Sequence, residues 1–431
     1  MVCAMNLAAE QPTGRVETAA SRRGVIVVLL AAPVLFWLGR HFCHLSTDFI
    51  GYHRAAISFL AGRTDLYSTT FAWGSTMQYV YPPLFLLLFF PLGWLSFANA
   101  FGVWFAANAL ATAILIVLAY REWRPRRVGQ YWLIFVALCA VPVLYALKNG
   151  NAHLLVVLLT LAGLLAWSKG RTWVASACLA LAGAFKLIPL LLLPFLVVRR
   201  EWKLALKMVL LSCLLWAAPA AYYGPRLALS LYRSWYNAVP ADVTRFESTH
   251  QLDSSLTGAT RRWLTHIDYS KHRDKDYPEV NVLDLPPAVV RVIALILKGI
   301  VLVLTLAVAG LLPKVHPEAD MSSEHRLEVA TIASLFITSQ LLLGPYTNFL
   351  YLSGWLIVAL TLPVVFERWD GSLNRWLLGV SLGALIIFAL PGRSLHRALE
   401  AAGVFTLLNV ALWLLSLLGG WKWLRAGKRE C

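Results

Sequence analysis

The chain has 431 residues, of which 59% are hydrophobic and 14% charged; ordinary soluble domains carry roughly 25% charged residues, so this composition argues against a water-soluble fold. The formal net charge of +16 would suit nucleic acid, but Lys and Arg fall in short clusters between apolar runs, the pattern that orients helices in a bilayer, and no nucleic-acid partner is expected. The six cysteines, Cys3, Cys43, Cys139, Cys178, Cys213 and Cys431, form no C-x-x-C pair and no zinc-like spacing, so neither a disulfide framework nor a metal-thiolate site is expected.

In chain order, residues 1–23 are polar and form a cytoplasmic N-terminal segment, with Arg15, Arg22 and Arg23 ahead of a first span over 24–42 that has no cleavage site and reads as a retained anchor. Residues 43–78 form a first extracytoplasmic loop, with an amphipathic stretch over 49–60 along the outer membrane surface. Residues 81–95 are apolar but hold Pro82, Pro83 and Pro91, and 98–120 ends at Arg121, Arg124, Arg126 and Arg127. If that cluster is cytoplasmic, the proline-rich stretch must dip in and return, which lipid tolerates only where the backbone lines protein or a cavity.

Spans over 131–147 and 152–167 follow, joined by an outer turn at 148–151. Between Arg171 and the cluster Arg199, Arg200 and Lys203 lies an apolar stretch whose two basic flanks require a hairpin of half-helices, its tip near Lys186 and Pro189. A span over 204–223 leads to the long extracytoplasmic loop 224–285. Spans near 287–312, 327–343, 349–366, 376–390 and 398–418 complete a transmembrane domain over 24–420, and 421–431 is a basic cytoplasmic tail. The expected architecture is all-α, a polytopic integral membrane protein of about 11–13 transmembrane or re-entrant helices.

No Walker A, G-x-G-x-x-G, H-E-x-x-H or G-x-S-x-G pattern occurs, so the common nucleotide, metal and serine-nucleophile chemistries lack their signatures, and neither cofactor nor metal is expected. Candidates come instead from polar residues at outer ends of spans. Asp48 follows the first span; a partly desolvated carboxylate there suits a general base on a sugar hydroxyl, and Asp equally suits the cap of the next helix. Lys186 at the hairpin tip would meet a lipid phosphate, or snorkel to headgroups. Asn149, Asn151 and His153 offer hydrogen bonds to sugar hydroxyls, or plain turn chemistry. Asp274-Lys-Asp276 copies a metal-binding D-x-D spacing within a charged run that reads as solvated loop.

Taken in order, the motifs resemble glycosyltransferase family 87, the polyprenyl-phosphate-mannose-dependent, mannosyltransferase-like proteins of the GT-C class. They are Asp48-Phe-Ile-Gly-Tyr52-His53 with Leu66-Tyr67, Tyr81-Pro82-Pro83, Gly150-Asn151-Ala-His153, Lys186-Leu-Ile-Pro189, Asp253-Ser254-Ser255-Leu256-Thr-Gly258 with Arg261 and Arg262, and Gly344-Pro345 with Tyr351. The resemblance runs over about 45–365 and implies a GT-C-type bundle that transfers a sugar, with inversion, from a polyprenyl-phosphate donor to a lipid or glycan acceptor on the outer face of the cell membrane. It further implies Asp48 as base and Lys186 with Arg261 or Arg262 on the donor phosphate. Tyr52, His53, Tyr67, Tyr81, Asn149, Asn151, His153, Asn348 and Tyr351 would line the substrate pocket.

Two departures stand out against the family pattern. The chain reads Tyr-Thr-Asn348-Phe-Leu-Tyr351 where acidic or histidine residues are frequent. Asn151 stands at a glutamine position, and His153 at that of a small polar residue. A transporter or flippase of a lipid-linked precursor, or an inactive paralogue in an assembly, would share many of these features; polar residues gathered on one side favour the enzyme.

Overall fold

The computed structural model describes residues 29–67, 79–238, 253–268, 278–312, 323–344, 347, 349–369, 371–390 and 392–427. Among them every regular element is a helix. Eight helices are long and apolar enough to cross a membrane: α4 (Phe97–Trp123), α5 (Val128–Asn149), α9 (Trp202–Tyr223), α12 (Pro287–Leu311), α13 (Ser323–Leu343), α14 (Trp355–Trp369, with the 3-10 turn Phe349–Gly354 before it), α15 (Gly371–Ala389) and α17 (Val404–Gly427). Five apolar stretches are shorter: α1 (Leu29–Leu45), α3 (Pro83–Phe89, continued as a 3-10 turn Phe90–Trp94), α6 (Ala152–Ser168), α7 (Thr172–Phe185) and the piece Ile188–Val198 that contains α8 (Leu192–Val198). The protein is a multi-pass, all-α membrane protein.

Residues 81–95 make only α3 and its 3-10 continuation, roughly 18 Å at most as helix and too short to cross about 30 Å of hydrocarbon; they pack on α2 (Asp48–Leu60) and return. The 171–199 stretch is the expected broken hairpin. Lys186 ends α7 in extended backbone (φ −138, ψ 131), and the chain resumes at once in the 3-10 turn Ile188–Leu191, which carries Pro189 at its start, where a missing N–H costs no helical hydrogen bond.

Two elements depart from the sequence reading. The long loop after α9 begins with an amphipathic helix, α10 (Pro225–Ala238), that buries Ala228, Leu231 and Trp235, and it also holds α11 (Leu256–Leu264). The last span does not start at 398: residues 393–401 form a separate short helix, α16 (Arg393–Ala401), and α17 runs from Val404 to Gly427. Arg393, His396, Arg397 and Glu400 make α16 too polar to enter hydrocarbon.

Antiparallel succession places the junctions α4–α5, α6–α7, α8–α9, α12–α13 and α14–α15 at one end of the bundle. Basic residues crowd that end, among them Arg121, Arg124, Arg127, Lys169, Arg171, Arg200, Lys203 and Arg375. Glu367 accepts the backbone N–H groups of Arg126 and Arg127 at 2.6 and 2.7 Å, so one carboxylate caps the entry to α5. Deeper, the guanidinium of Arg199 donates to the carbonyls of Ala309 and Leu312 and to Glu328, whose other oxygen lies 3.5 Å from His325. Both Arg199 and Glu328 are buried, so each depends on the other to offset desolvation.

The opposite end carries an aromatic core. Phe49 meets Phe89, Phe97 and Phe101 at ring separations of 5.4, 5.7 and 5.2 Å, within the 4.5–7 Å favoured by aromatic pairs. Helix α1 approaches α4 so closely that a Cβ on Gly39 would come within 2.9 Å of the Gly102 backbone, the small-residue contact that lets membrane helices touch. That crossing fixes where the chain leaves α1 and delivers Asp48.

Glu328→Leu, which strands Arg199 without its anion, is expected to cost about 3–5 kcal/mol and to lower the thermal midpoint sharply in detergent. Combining it with Arg199→Met should restore most of the loss; equal losses in single and paired variants would show that the pair is not what carries the stability.

Candidate active site

The site begins with a turn. Helix α5 ends in a double hydrogen bond, Gly150 N to Leu147 O (3.1 Å) and Asn151 N to Ala146 O (3.0 Å), with Gly150 in the left-handed region at φ +66, a C-terminal closure that favours glycine. Asn151 then caps α6, its Oδ1 accepting the N–H of His153 at 2.6 Å. One amide remains, and Nδ2 of Asn151 donates it to Oδ2 of Asp48. Thr47 donates to Oδ1 of Asn149 at 2.7 Å, and Trp104 Nε1 donates to the Gly150 carbonyl at 3.0 Å. The first turn of α2 and the α5–α6 turn are thereby one unit.

Asp48 stands inside the first turn of α2, one place after the cap position held by Thr47. Burial pushes its carboxyl above the usual carboxylate range, and the Asn151 hydrogen bond and the nearby Lys186 charge draw it partly back. The result is a carboxylate that is oriented, half-buried and more basic than in water.

Lys186 reaches the same place from the broken hairpin. Its ammonium lies 4.1 Å from the ring centroid of Tyr351 and 5.5 Å from that of Tyr81, both within cation–π range. Tyr52 joins the group through its hydroxyl, which donates to Tyr81 Oη at 3.3 Å and accepts from Ala152 N at 3.3 Å. Tyr67 donates to the Tyr81 carbonyl at 2.8 Å. The His153 ring lies 4.4 Å from that of Tyr351 and is buried, with the Tyr351 backbone the polar group beside it. A buried imidazole has two nitrogens to satisfy, and one backbone group leaves the other for a ligand or water.

Asp48, Tyr52, Tyr67, Tyr81, Asn149, Asn151, His153, Lys186 and Tyr351 therefore form one neighbourhood, at the end of the bundle away from the basic junctions. His53 points elsewhere, bonding the Leu95 carbonyl at 3.0 Å, and burial lowers it below the usual histidine value. Arg262 is buried with its guanidinium on the carbonyls of Ala401 (3.0 Å) and Asp253 (2.7 Å), so it holds α11 to α16. Arg261 precedes it on α11, half-buried. Asn348, Asp274 and Asp276 lie outside the described residues. Among the described residues no group of His, Cys, Asp and Glu could hold a metal ion.

Asp253, in the long loop, knits this end together. Its Oδ1 accepts the N–H groups of Ser255 and Thr347, each at 2.9 Å, and Ser255 caps α11 by accepting from Gly258 at 3.2 Å. The segment carrying Thr347 leads directly to Tyr351. Sequence reasoning passed over Lys298 on α12, whose Nζ donates to the Gly344 carbonyl at 3.4 Å. The available signal was its register: it falls on the buried stripe Val290, Ala294, Val301, Thr305, Ala309, where a lysine at mid-helix costs about 2.5–3.5 kcal/mol on an insertion scale.

The family model of glycosyltransferase family 87 matches residues 79–324, more than half of the chain. The chain belongs to glycosyltransferase family 87. Tyr81, Asn149, Asn151, His153, Lys186, Arg261 and Arg262 fall inside the matched stretch, whereas Asp48, Tyr52 and Tyr351 join them only in space. A search of the curated proteins finds no match.

Gly150→Ala is expected to disturb this glycosyltransferase twice. Left-handed backbone costs an ordinary residue about 1–2 kcal/mol, and the new Cβ would stand 2.8 Å from atoms of Phe49 and Phe101. Gly62→Ala, also at positive φ (+79) but with nothing within 4 Å, should show only the first penalty. Thermal unfolding of the two variants checks this; a Gly150 loss no greater than the Gly62 loss would contradict the close packing.

Proposed function

We propose that this membrane glycosyltransferase moves a sugar, with mannose as the first choice, from a polyprenyl-phosphate donor to a lipid or glycan acceptor at the extracytoplasmic face of the cell membrane. The observation that carries the reading is the juxtaposition of Asp48, oriented by Asn151, with Lys186, whose ammonium lies over the Tyr351 ring and acts on the Asp48 carboxyl. A base and a phosphate-binding cation side by side are what inverting transfer from a lipid phosphate requires.

Asp48 accepts the proton of the acceptor hydroxyl as its oxygen attacks the anomeric carbon from the face opposite the phosphate. The anomeric carbon–oxygen bond breaks, its electron pair leaves with the phosphate, and Lys186 meets the charge that develops there. The products are an inverted glycoside, polyprenyl phosphate and a proton that Asp48 returns to water. Tyr81, Tyr351 and His153 offer ring faces and an imidazole nitrogen to the sugar, and the family resemblance assigns Arg261 to the phosphate. Arg262 supports this arrangement through the carbonyls it holds. The concentration of basic residues at the other end supports cytoplasmic termini and an outward-facing site.

The test is transfer of radiolabelled sugar from purified polyprenyl-phosphate-mannose to native membrane lipids. Asp48→Asn, which preserves shape, is expected to abolish label transfer while the protein stays folded in the membrane. Equal transfer by both proteins would remove Asp48 as base, and no transfer by the wild type would remove this donor.

The pH profile supplies a second check. Activity needs Asp48 ionised, and burial raises its pKa, so the acid limb should lie above the usual carboxylate range. Asn151→Ala deletes a hydrogen bond to the charged form and should move that limb to still higher pH. A limb that stays put would show that Asp48 is not the titrating group.

A further inference from the structure

Lys298 sits in the middle of α12, on the stripe that faces the bundle, while its neighbours Leu295, Ile296, Leu297 and Ile300 are exposed and apolar. Helix α12 is the most hydrophobic of the candidate spans, at mean hydropathy 2.8, so the ammonium stands at hydrocarbon depth. A charge there demands compensation. What it has is one long hydrogen bond, 3.4 Å, to the Gly344 carbonyl. Ammonium carries three donors. No carboxylate lies within ion-pair distance of it among the described residues. Asp253 is near enough to act on it electrostatically, but Oδ1 of that carboxylate already receives the N–H groups of Ser255 and Thr347.

Gly344 closes α13, and from it the chain passes Thr347, pinned by Asp253, to Tyr351, whose ring lies beneath the Lys186 ammonium. Lys298 thus stands on the Gly344 carbonyl and Lys186 over the Tyr351 ring, seven residues further along the chain, and each has donor capacity left over. On these grounds, and resting on the lipid-phosphate reading above, we propose that Lys298 is a second cation for the carrier phosphate, engaged most strongly once the phosphate is the leaving group. The donor is a phosphodiester with one negative charge. When the anomeric bond breaks, the released phosphate monoester takes a second, and a second ammonium is suited to that extra charge. The carrier's apolar chain would then leave along the exposed side of α12.

The test uses the full chain in detergent, with farnesyl phosphate as ligand and farnesol as uncharged control, read by equilibrium binding and by thermal unfolding. Lys298→Gln keeps a donor for the Gly344 carbonyl and removes the charge; Lys298→Arg keeps both. The wild type is expected to bind farnesyl phosphate and not farnesol. Lys298→Gln should weaken that binding about tenfold or more while its ligand-free unfolding midpoint stays at the wild-type value, and Lys298→Arg should restore most of the affinity. Undiminished binding by Lys298→Gln overturns this role for Lys298 and leaves the proposed transfer reaction standing. A ligand-free midpoint that falls in Lys298→Gln, with affinity in the remaining folded protein unchanged, likewise overturns it in favour of a purely structural lysine. Absence of farnesyl phosphate binding by the wild type overturns both readings.

Discussion

The carboxamide of Asn151 faces two ways, and the candidate site depends on that. Its oxygen caps α6 and its nitrogen holds Asp48, so the same side chain starts the helix that follows it and orients a carboxylate from more than a hundred residues earlier. Neither bond is large alone, since a cap is worth about 1 kcal/mol. Their joint effect is geometric. The Asp48 carboxylate is held in one position relative to the start of α6, and Tyr52, bonded to the N–H of Ala152, repeats the constraint one turn along α2.

Around that unit the bundle supplies groups that could not be held on exposed loops. Lys186 owes its place to a helix that stops within the membrane-embedded part of the chain, and Tyr351 to a 3-10 turn pinned through Thr347 to Asp253. Irregular backbone at this depth is tolerable because its polar groups are answered by protein: Ser255, Thr347, Gly150 and Asn151 each have named partners. The site is therefore assembled from four interruptions of helix, each interruption stabilised by another.

Much of this was legible because the signals are local. Asn149-Gly150-Asn151 is turn chemistry readable from three residues, and Lys186 stands out as a charge next to a proline in an apolar run. The α5, α6 and α12 spans follow from hydropathy to within a few residues. What was not legible depends on facing. Lys298 disappears into the hydropathy of α12, and its stripe acquires meaning only when α13 is known to lie beside it. The hold of Arg262 on the Ala401 carbonyl joins segments 139 residues apart, which no local pattern around Arg262 reveals; its phosphate role came only from the family resemblance. Helix α16 was merged with α17 because alanines at its end extend the apolar run, although four ionisable or titratable side chains before them keep it out of hydrocarbon.

The layer between the two ends has its own consequence. From His153 down α6 to Ser168, the side chains of Leu154, Val157, Leu158, Leu161, Leu164 and Leu165 are buried against Phe195, Phe336, Ile337 and Leu341, and Thr160 turns its hydroxyl back onto the carbonyl of Val156. This apolar layer lies between the Asp48 end of the bundle and the Arg199–Glu328 pair. On the outward-facing reading proposed above, the acceptor's end of the molecule is insulated from the basic end by packed side chains rather than by a moving part.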